Sequence, residues 1–276
     1  MKIVTVPIFN EAHLLPHFLK NVNEVIEPDL IILNEGMFPH GPENRHNISD
    51  RFIELYTHNG DGKRSFDIES TRIFASEHEN VVLNEMDYGD ISTKDAYIQA
   101  FTHGIPENTP KTASIFLTEA DVFIHEGDRK HLIEISRDLP DDKVLTATFM
   151  RFFIAPHVRI YPDKERRIVM KYGDGSLVRK VAADNFLDHY VDRYAIHTDL
   201  RVYHYEWIRP GKYYSARRAQ FEGARPEALM RWHDVARDQI LRGEDINTSQ
   251  PLRLETDRTI EHPIHIREHP SFAGTH

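Results

Sequence analysis

Apolar and polar positions along the chain change period several times, and each change marks an element. Residues 2–8 (KIVTVPI) are a β-branched run that predicts a strand. Over residues 11–25, Leu14, Leu15, Phe18, Leu19, Val22 and Val25 recur at the i, i+3, i+4 spacing of an amphipathic helix. Pro16 fits such a helix only in its first turn, where no backbone donor is missed. Residues 29–33 (DLIIL) predict a second, buried strand. Strand, helix and strand in about 35 residues form a βαβ unit, which requires a parallel pair and a right-handed crossover. The alternation continues with helices near 49–57 and over 65–78, a strand at 81–83, a helix at 92–103 and a strand at 113–117. It predicts an α/β doubly wound sheet.

The pattern then shifts. Residues 144–153, 157–161 and 167–172 are strand-like and follow one another without long helices, which predicts an antiparallel extension of the sheet. Residues 200–205 (LRVYHY) predict one more strand, 211–222 and 225–241 two helices. Residues 243–276, with Pro251, Pro263 and Pro270, read as an irregular tail. There is no internal repeat and no low-complexity linker, so one compact unit is expected.

Charge and composition narrow the function. Lys and Arg number 34 against 44 Asp and Glu, a net charge of −10, which excludes the basic footprint of a general nucleic-acid binder. Cysteine is absent, which removes disulfides, thiolate metal sites and thiol nucleophiles. No apolar run approaches the roughly 18 residues of a membrane span. The N-terminus lacks the pattern of a signal peptide, so a cytoplasmic location is expected. Histidine is abundant, at 18 residues, a count that surface composition explains as readily as chemistry.

In an open α/β sheet, ligands bind beyond the carboxyl ends of the strands. Each predicted strand delivers polar groups there: Pro7, Phe9, Asn10 and Glu11 after the first, Asn34 and Glu35 after the second, Lys94 and Asp95 beyond the third. After the fourth comes Thr118-Glu119-Ala120-Asp121. Carboxylates at i and i+2 of an extended segment point the same way, so Glu119 and Asp121 can reach one hard cation, Mg²⁺ or Mn²⁺. The chain has no G-x-G-x-x-G, no P-loop and no G-x-S-x-G, leaving dinucleotide binding, P-loop chemistry and α/β-hydrolase chemistry without support.

These blocks resemble the family 2-type glycosyltransferases with the GT-A fold. VPIFNEAHLLPHFLKNV is similar to that family's opening strand and helix, and DLIILNEG to its second strand with a terminal acidic residue. STKDAYIQAFTHGI is similar to the helix carrying a basic nucleotide contact, and ASIFLTEADVF occupies the place of the Asp-x-Asp strand. HYEWIRPGKYYSARR resembles a His-Tyr-x-x-x-Arg segment followed by a basic helix. The resemblance implies a GT-A-like mixed sheet flanked by helices, with a nucleotide-sugar-binding half at 1–125, an acceptor-binding half at 126–242 and a C-terminal tail. It implies a nucleotide-sugar donor, a carbohydrate or other hydroxyl acceptor, and Mn²⁺ or Mg²⁺ held by Glu119, Asp121 and His204. Pro7, Phe9, Asn10, Glu11, Glu35, Lys94, Arg209 and Lys212 would bind the donor. Asp174 and Glu206 are candidates for the general base of an inverting transfer. Three substitutions depart from the family: Glu119 for the first Asp of the motif, Val122 after it, and Lys94 where Arg is frequent. Two other classes stay open: a non-catalytic nucleotide- or sugar-binding relative, and a sugar-1-phosphate nucleotidyltransferase. The latter usually needs a Gly-rich basic loop after the first strand, which FNEAHLLPHF does not provide. Tyr203, Tyr205 and Trp207 read either as a sugar-stacking platform or as core. The alternating histidines of 262–269 read as a second metal site or as a surface strand or tail.

Overall fold

A computed structural model describes residues 1–37, 50–89, 91–186, 194–205, 208, 226–242, 244 and 253–272. Strand β1 (Lys2–Ile8) is followed by helix α1 (Leu15–Val25), which has Pro16 in its first turn and buries Leu15, Phe18, Leu19, Val22 and Val25. Each such side chain contributes roughly 1.5–3 kcal/mol of burial. Strand β2 (Leu30–Glu35) returns parallel to β1, in register from Ile3–Leu30 to Ile8–Glu35. Helices α2 (Asp50–Tyr56) and α3 (Ile68–Ser76) lead to β3 (Val81–Glu85), parallel to β2. Helix α4 (Thr93–Thr102) then leads to β4 (Ser114–Leu117), parallel to β1 on its other side.

The second half supplies β5 (Val122–Ile124), α5 (Arg129–Arg137), β6 (Val144–Phe153), β7 (Ala155–Lys171), α6 (Ser176–Phe186) and β8 (Ala195–His204). It ends in α7 (Pro226–Leu241), β9 (Arg253–Thr256) and the short α8 (Ile264–Arg267). Among the described residues the sheet has nine strands in the order β3-β2-β1-β4-β7-β6-β8-β5, with β9 paired to β7. The fold is therefore α/β: a central mixed sheet flanked by helices, with a helical segment toward the C-terminus, as the alternation and the GT-A resemblance both imply. Strands β1 to β4 are mutually parallel; β7 is antiparallel to β4 and β6, and β6 is parallel to β8. The carboxyl ends of β1, β2, β3, β4, β6 and β8 thus share one rim.

Strand alternation explains the two-sided core. Val4, Val6, Ile31 and Leu33 face α1, while Ile3, Ile32, Ile115 and Leu117 pack with Phe101, Val178 and Val181 from α4 and α6. Gly104 closes the turn after α4 with φ of +80°. A Cβ there would stand 2.4 Å from Asn84 Nδ2, which donates to Asn34 Oδ1 at 2.8 Å. Gly104→Ala is expected to cost about 2 kcal/mol or more in chemical denaturation, from left-handed backbone strain and the clash.

The second half departs from expectation at three places. Strand β5 and helices α5 and α6 are additional elements; α5 buries only Leu132 and Ser136, so its apolar stripe is thin. Residues 155–171 form one continuous strand rather than two, because the polar run 162–166 belongs to a long hairpin with β6. The helix expected at 211–222 lies outside the described residues. Residues 253–272, expected to be irregular, add β9 to the sheet edge and bury Ile266 and Phe272 in the main core.

Candidate metal centre at the sheet switch point

The chain leaves β1 toward β2 on one side and reaches β4 on the other, so the crevice between their carboxyl ends is the topological switch point. Glu119 and Asp121 follow β4 directly there. Strand β8, antiparallel to β5, brings His204 opposite Val122. The ligand atoms of Glu119, Asp121 and His204 all lie within 4.8 Å of one another. His204 Nε2 is 3.4 Å from Asp121 Oδ2 and 3.7 Å from Glu119 Oε2. Asp121 is fully buried, Glu119 is 8% exposed and His204 6%.

Two carboxylates this deep call for positive charge. Arg166, on β7, provides one: its guanidinium donates to Glu119 Oε1 at 2.5 Å and to the Tyr97 hydroxyl at 3.1 Å. Tyr97, on α4, reaches Glu119 Oε1 at 3.3 Å. The guanidinium lies 4.8 Å from the Phe149 ring centroid, and Phe149 packs at 4.7 Å against the His204 ring. Burial pulls the Arg166 pKa down, but Glu119 outweighs it and holds Arg166 above the ordinary arginine range. A cation bound to one Glu119 oxygen therefore leaves the other held by Arg166. Among the described residues neither ring nitrogen of His204 has a hydrogen-bond partner. A buried imidazole with both nitrogens unmatched, beside two carboxylates, fits a divalent metal site.

No family model matches the sequence, and no curated protein matches it. Among solved structures, 2-C-methyl-D-erythritol 4-phosphate cytidylyltransferase from Francisella tularensis is similar at 9% identity and TM-score 0.36, over 72% of this chain and 90% of that one. Mannose-1-phosphate geranyltransferase from Thermus thermophilus is similar at 11% identity and TM-score 0.28, over 83% of this chain and 66% of that one. Both are transferases by name, and at these scores the likeness assigns no activity.

The other sequence candidates are distributed unevenly. Pro7 is buried in β1 just past the last β4 partner, Leu117, where its missing N–H leaves no ladder bond unmade. Phe9 is core, packed with Phe52 and Tyr56. Asn10, with φ of 58°, knits the loop to the 56–66 segment: its N–H donates to Ser65 Oγ, its Nδ2 to the Tyr56 carbonyl, and its Oδ1 accepts from Phe66 N–H. Glu11 is buried beside it. Lys94 is exposed on the first turn of α4, the helix that also carries Tyr97. Glu206, Arg209, Lys212 and Trp207 lie outside the described residues. Asp174 is not brought to the centre. It follows Lys171, which pairs with Ser114 at the start of β4, and therefore sits at the opposite rim. There its carboxylate accepts from Ser176 N–H at 2.9 Å, in the turn that opens α6. Tyr203 and Tyr205 are buried in an aromatic stack with Phe152, so of the two readings of these rings the core one holds for both. The 264–267 segment is helical rather than a strand.

Glu35 ends β2 fully buried, and its Oε1 accepts from both the backbone N–H and the hydroxyl of Ser65. Burial raises its pKa to about 7, against the lowering effect of those two bonds. A carboxyl whose folded pKa lies above its unfolded value of 4.5 binds its proton more tightly when folded. Its contribution to stability is present in full below pH 4.5 and lost as pH rises through about 7. At about 1.4 kcal/mol per unit, that loss is on the order of 3 kcal/mol. Glu35→Gln is expected to flatten the fall in stability between pH 5 and 8, read by urea unfolding across that range.

Sequence reasoning missed Arg166 and Tyr97. Tyr97 stands three residues after Lys94 on the same helix, which is the signal that could have found it.

Proposed function

We propose that the chain is a metal-dependent transferase that takes a nucleoside-diphosphate sugar and passes the sugar to a hydroxyl acceptor with inversion. The observation that supports this reading best is the buried Glu119–Asp121–His204 donor set at the switch point of an α/β sheet. Two carboxylates and an imidazole suit Mn²⁺, with Mg²⁺ as the harder alternative. A divalent ion held by these residues supplies electrostatic neutralisation of the diphosphate leaving group.

The residues around it have separable roles. Arg166 fixes one oxygen of Glu119, with Tyr97 as a second donor to the same oxygen. Phe149 covers both Arg166 and the His204 ring, excluding water from one side of the site. The first-strand loop, pinned by Asn10 to Ser65, holds the wall of the crevice next to Glu35. Lys94 offers an exposed cation on α4 for the outer part of the donor.

Nucleotidyl transfer is the second reading, because the same three donors serve a metal on a nucleoside triphosphate equally well. The loop at residues 9–14 (FNEAHL), with neither Gly nor Lys nor Arg, weighs against it. One assay separates the classes. Protein is incubated with UDP-, GDP-, TDP- and CMP-sugars, with Mn²⁺, Mg²⁺ or EDTA, and with or without pyrophosphate and simple sugar acceptors. Metal-dependent release of free nucleotide supports glycosyl transfer; triphosphate formed only with pyrophosphate supports nucleotidyl transfer. Thermal stabilisation by a nucleotide sugar with neither product supports a binding protein, and no stabilisation by any of them contradicts all three.

A further inference from the structure

A cavity of about 280 Å³ opens between residues 156–157 and 257–272, and one of its walls, His262, packs against the face of β8 opposite His204. Alternation along the strand sets the two faces. His204 points toward Glu119 and Asp121, whereas Tyr203 and Tyr205 point the other way, into the rings of Phe152 and His262. Ile260, Phe272 and Pro156 give the cavity an apolar wall, and Arg258 and Arg267 line it as exposed side chains.

The polar groups lining it are not evenly matched. His262 Nδ1 is hydrogen-bonded to the Tyr205 hydroxyl at 2.8 Å, and the ring also bonds the Pro156 backbone. Burial pulls its pKa down to about 4, so it is a neutral wall. Asp257 is occupied within its own turn, accepting from the Thr259 N–H at 2.9 Å and hydroxyl at 2.6 Å. The Glu261 side chain is 73% exposed and lies 4.0 Å from His125 Nε2. On the cationic side, Arg267 has Glu126 only at 3.8 Å, and Arg258 makes no ion pair among the described residues. His157, beside Arg258, has a buried Nδ1 without a hydrogen-bond partner among the described residues.

We infer that this cavity is a second binding site, for a small organic anion whose phosphate or carboxylate head is held by Arg258 and Arg267. Guanidinium groups bind such heads bidentately. The volume admits a body about the size of a pentose, resting against Ile260 and Phe272. The site is separate from the transferase centre and goes beyond that reading.

Ribose 5-phosphate is the probe, with ribose as the uncharged control, at constant ionic strength. Imidazole signals of His157 and His262 are followed by NMR during titration. The expected result is saturable shifts with ribose 5-phosphate and none with ribose. Binding is expected to weaken about tenfold or more in the Arg258→Ala, Arg267→Ala double variant, since both charge-assisted contacts to the anionic head are lost. Both arginines are exposed, so the variant should keep the wild-type melting temperature. In Asp121→Asn the affinity should equal wild type, which separates this site from the metal centre. Absence of a saturable shift, wild-type affinity in the double variant, or loss of binding in Asp121→Asn would overturn the assignment.

Discussion

Asp121→Asn is expected to weaken Mn²⁺ binding by at least about 100-fold, because loss of an outer-shell partner alone typically costs 10–100-fold and Asp121 is a donor itself. The carboxamide keeps the shape of the side chain but removes the charge that holds a hard cation. Asp121 is fully buried, so no solvent-exposed group can replace it. The metal-free protein should not suffer. Among the described residues, two carboxylates and one guanidinium share this interior, and removing one negative charge brings these groups to balance. Thermal unfolding in EDTA should therefore show a midpoint equal to or above that of the wild type, while the stabilisation by Mn²⁺ disappears. Electron paramagnetic resonance of free Mn²⁺ reads the affinity directly. Wild-type affinity in the variant would remove Asp121 from the metal site.

Arg166→Met should destabilise the metal-free protein by about 3–5 kcal/mol, the usual cost of leaving one member of a buried ion pair without its partner. Arg166 and Glu119 side chains are 16% and 10% exposed, so solvent offers little compensation. The same change removes the cation from the face of Phe149 and one donor from the Tyr97 hydroxyl. Arg166→Lys should lose less, because the charge remains while the planar fork that spans Glu119 and Tyr97 does not. Mn²⁺ should recover part of the loss in the methionine variant, since the ion supplies a positive charge next to Glu119. Urea unfolding of both variants with Mn²⁺ and with EDTA measures this. An equal deficit in the two conditions would mean that Arg166 and the metal do not share Glu119.

The first half of the fold was legible because β1, β2 and β4 are buried on both faces and α1 on one. Runs such as KIVTVPI and SIFL announce central parallel strands, and the stripe from Leu14 to Val25 announces α1. The Glu119–Asp121 cluster was legible for a related reason: an apolar strand running straight into two carboxylates can only end at a rim. Arg166 was not. It sits in the polar run PDKERR, which reads as a turn, and nothing local tells that β7 continues and turns Arg166 inward to Glu119. Asp174 failed for the opposite reason. Gly173-Asp174-Gly175 has the signature of a turn at either rim, and only the β4–β7 register shows that it lies at the far one. The tail was misjudged because its prolines and histidines suggest irregularity, while Ile266 and Phe272 are too far apart to form a visible pattern.

The central claim is that Glu119, Asp121 and His204 hold a divalent ion against the diphosphate of a nucleotide sugar. Pulsed electron paramagnetic resonance of Mn²⁺-loaded protein tests it most directly. The account predicts coupling to one imidazole nitrogen, absent in His204→Ala, and new coupling to phosphorus when the matching nucleoside-diphosphate sugar is added. Bound Mn²⁺ with no imidazole coupling, or with no phosphorus coupling for any donor in the panel, would contradict it.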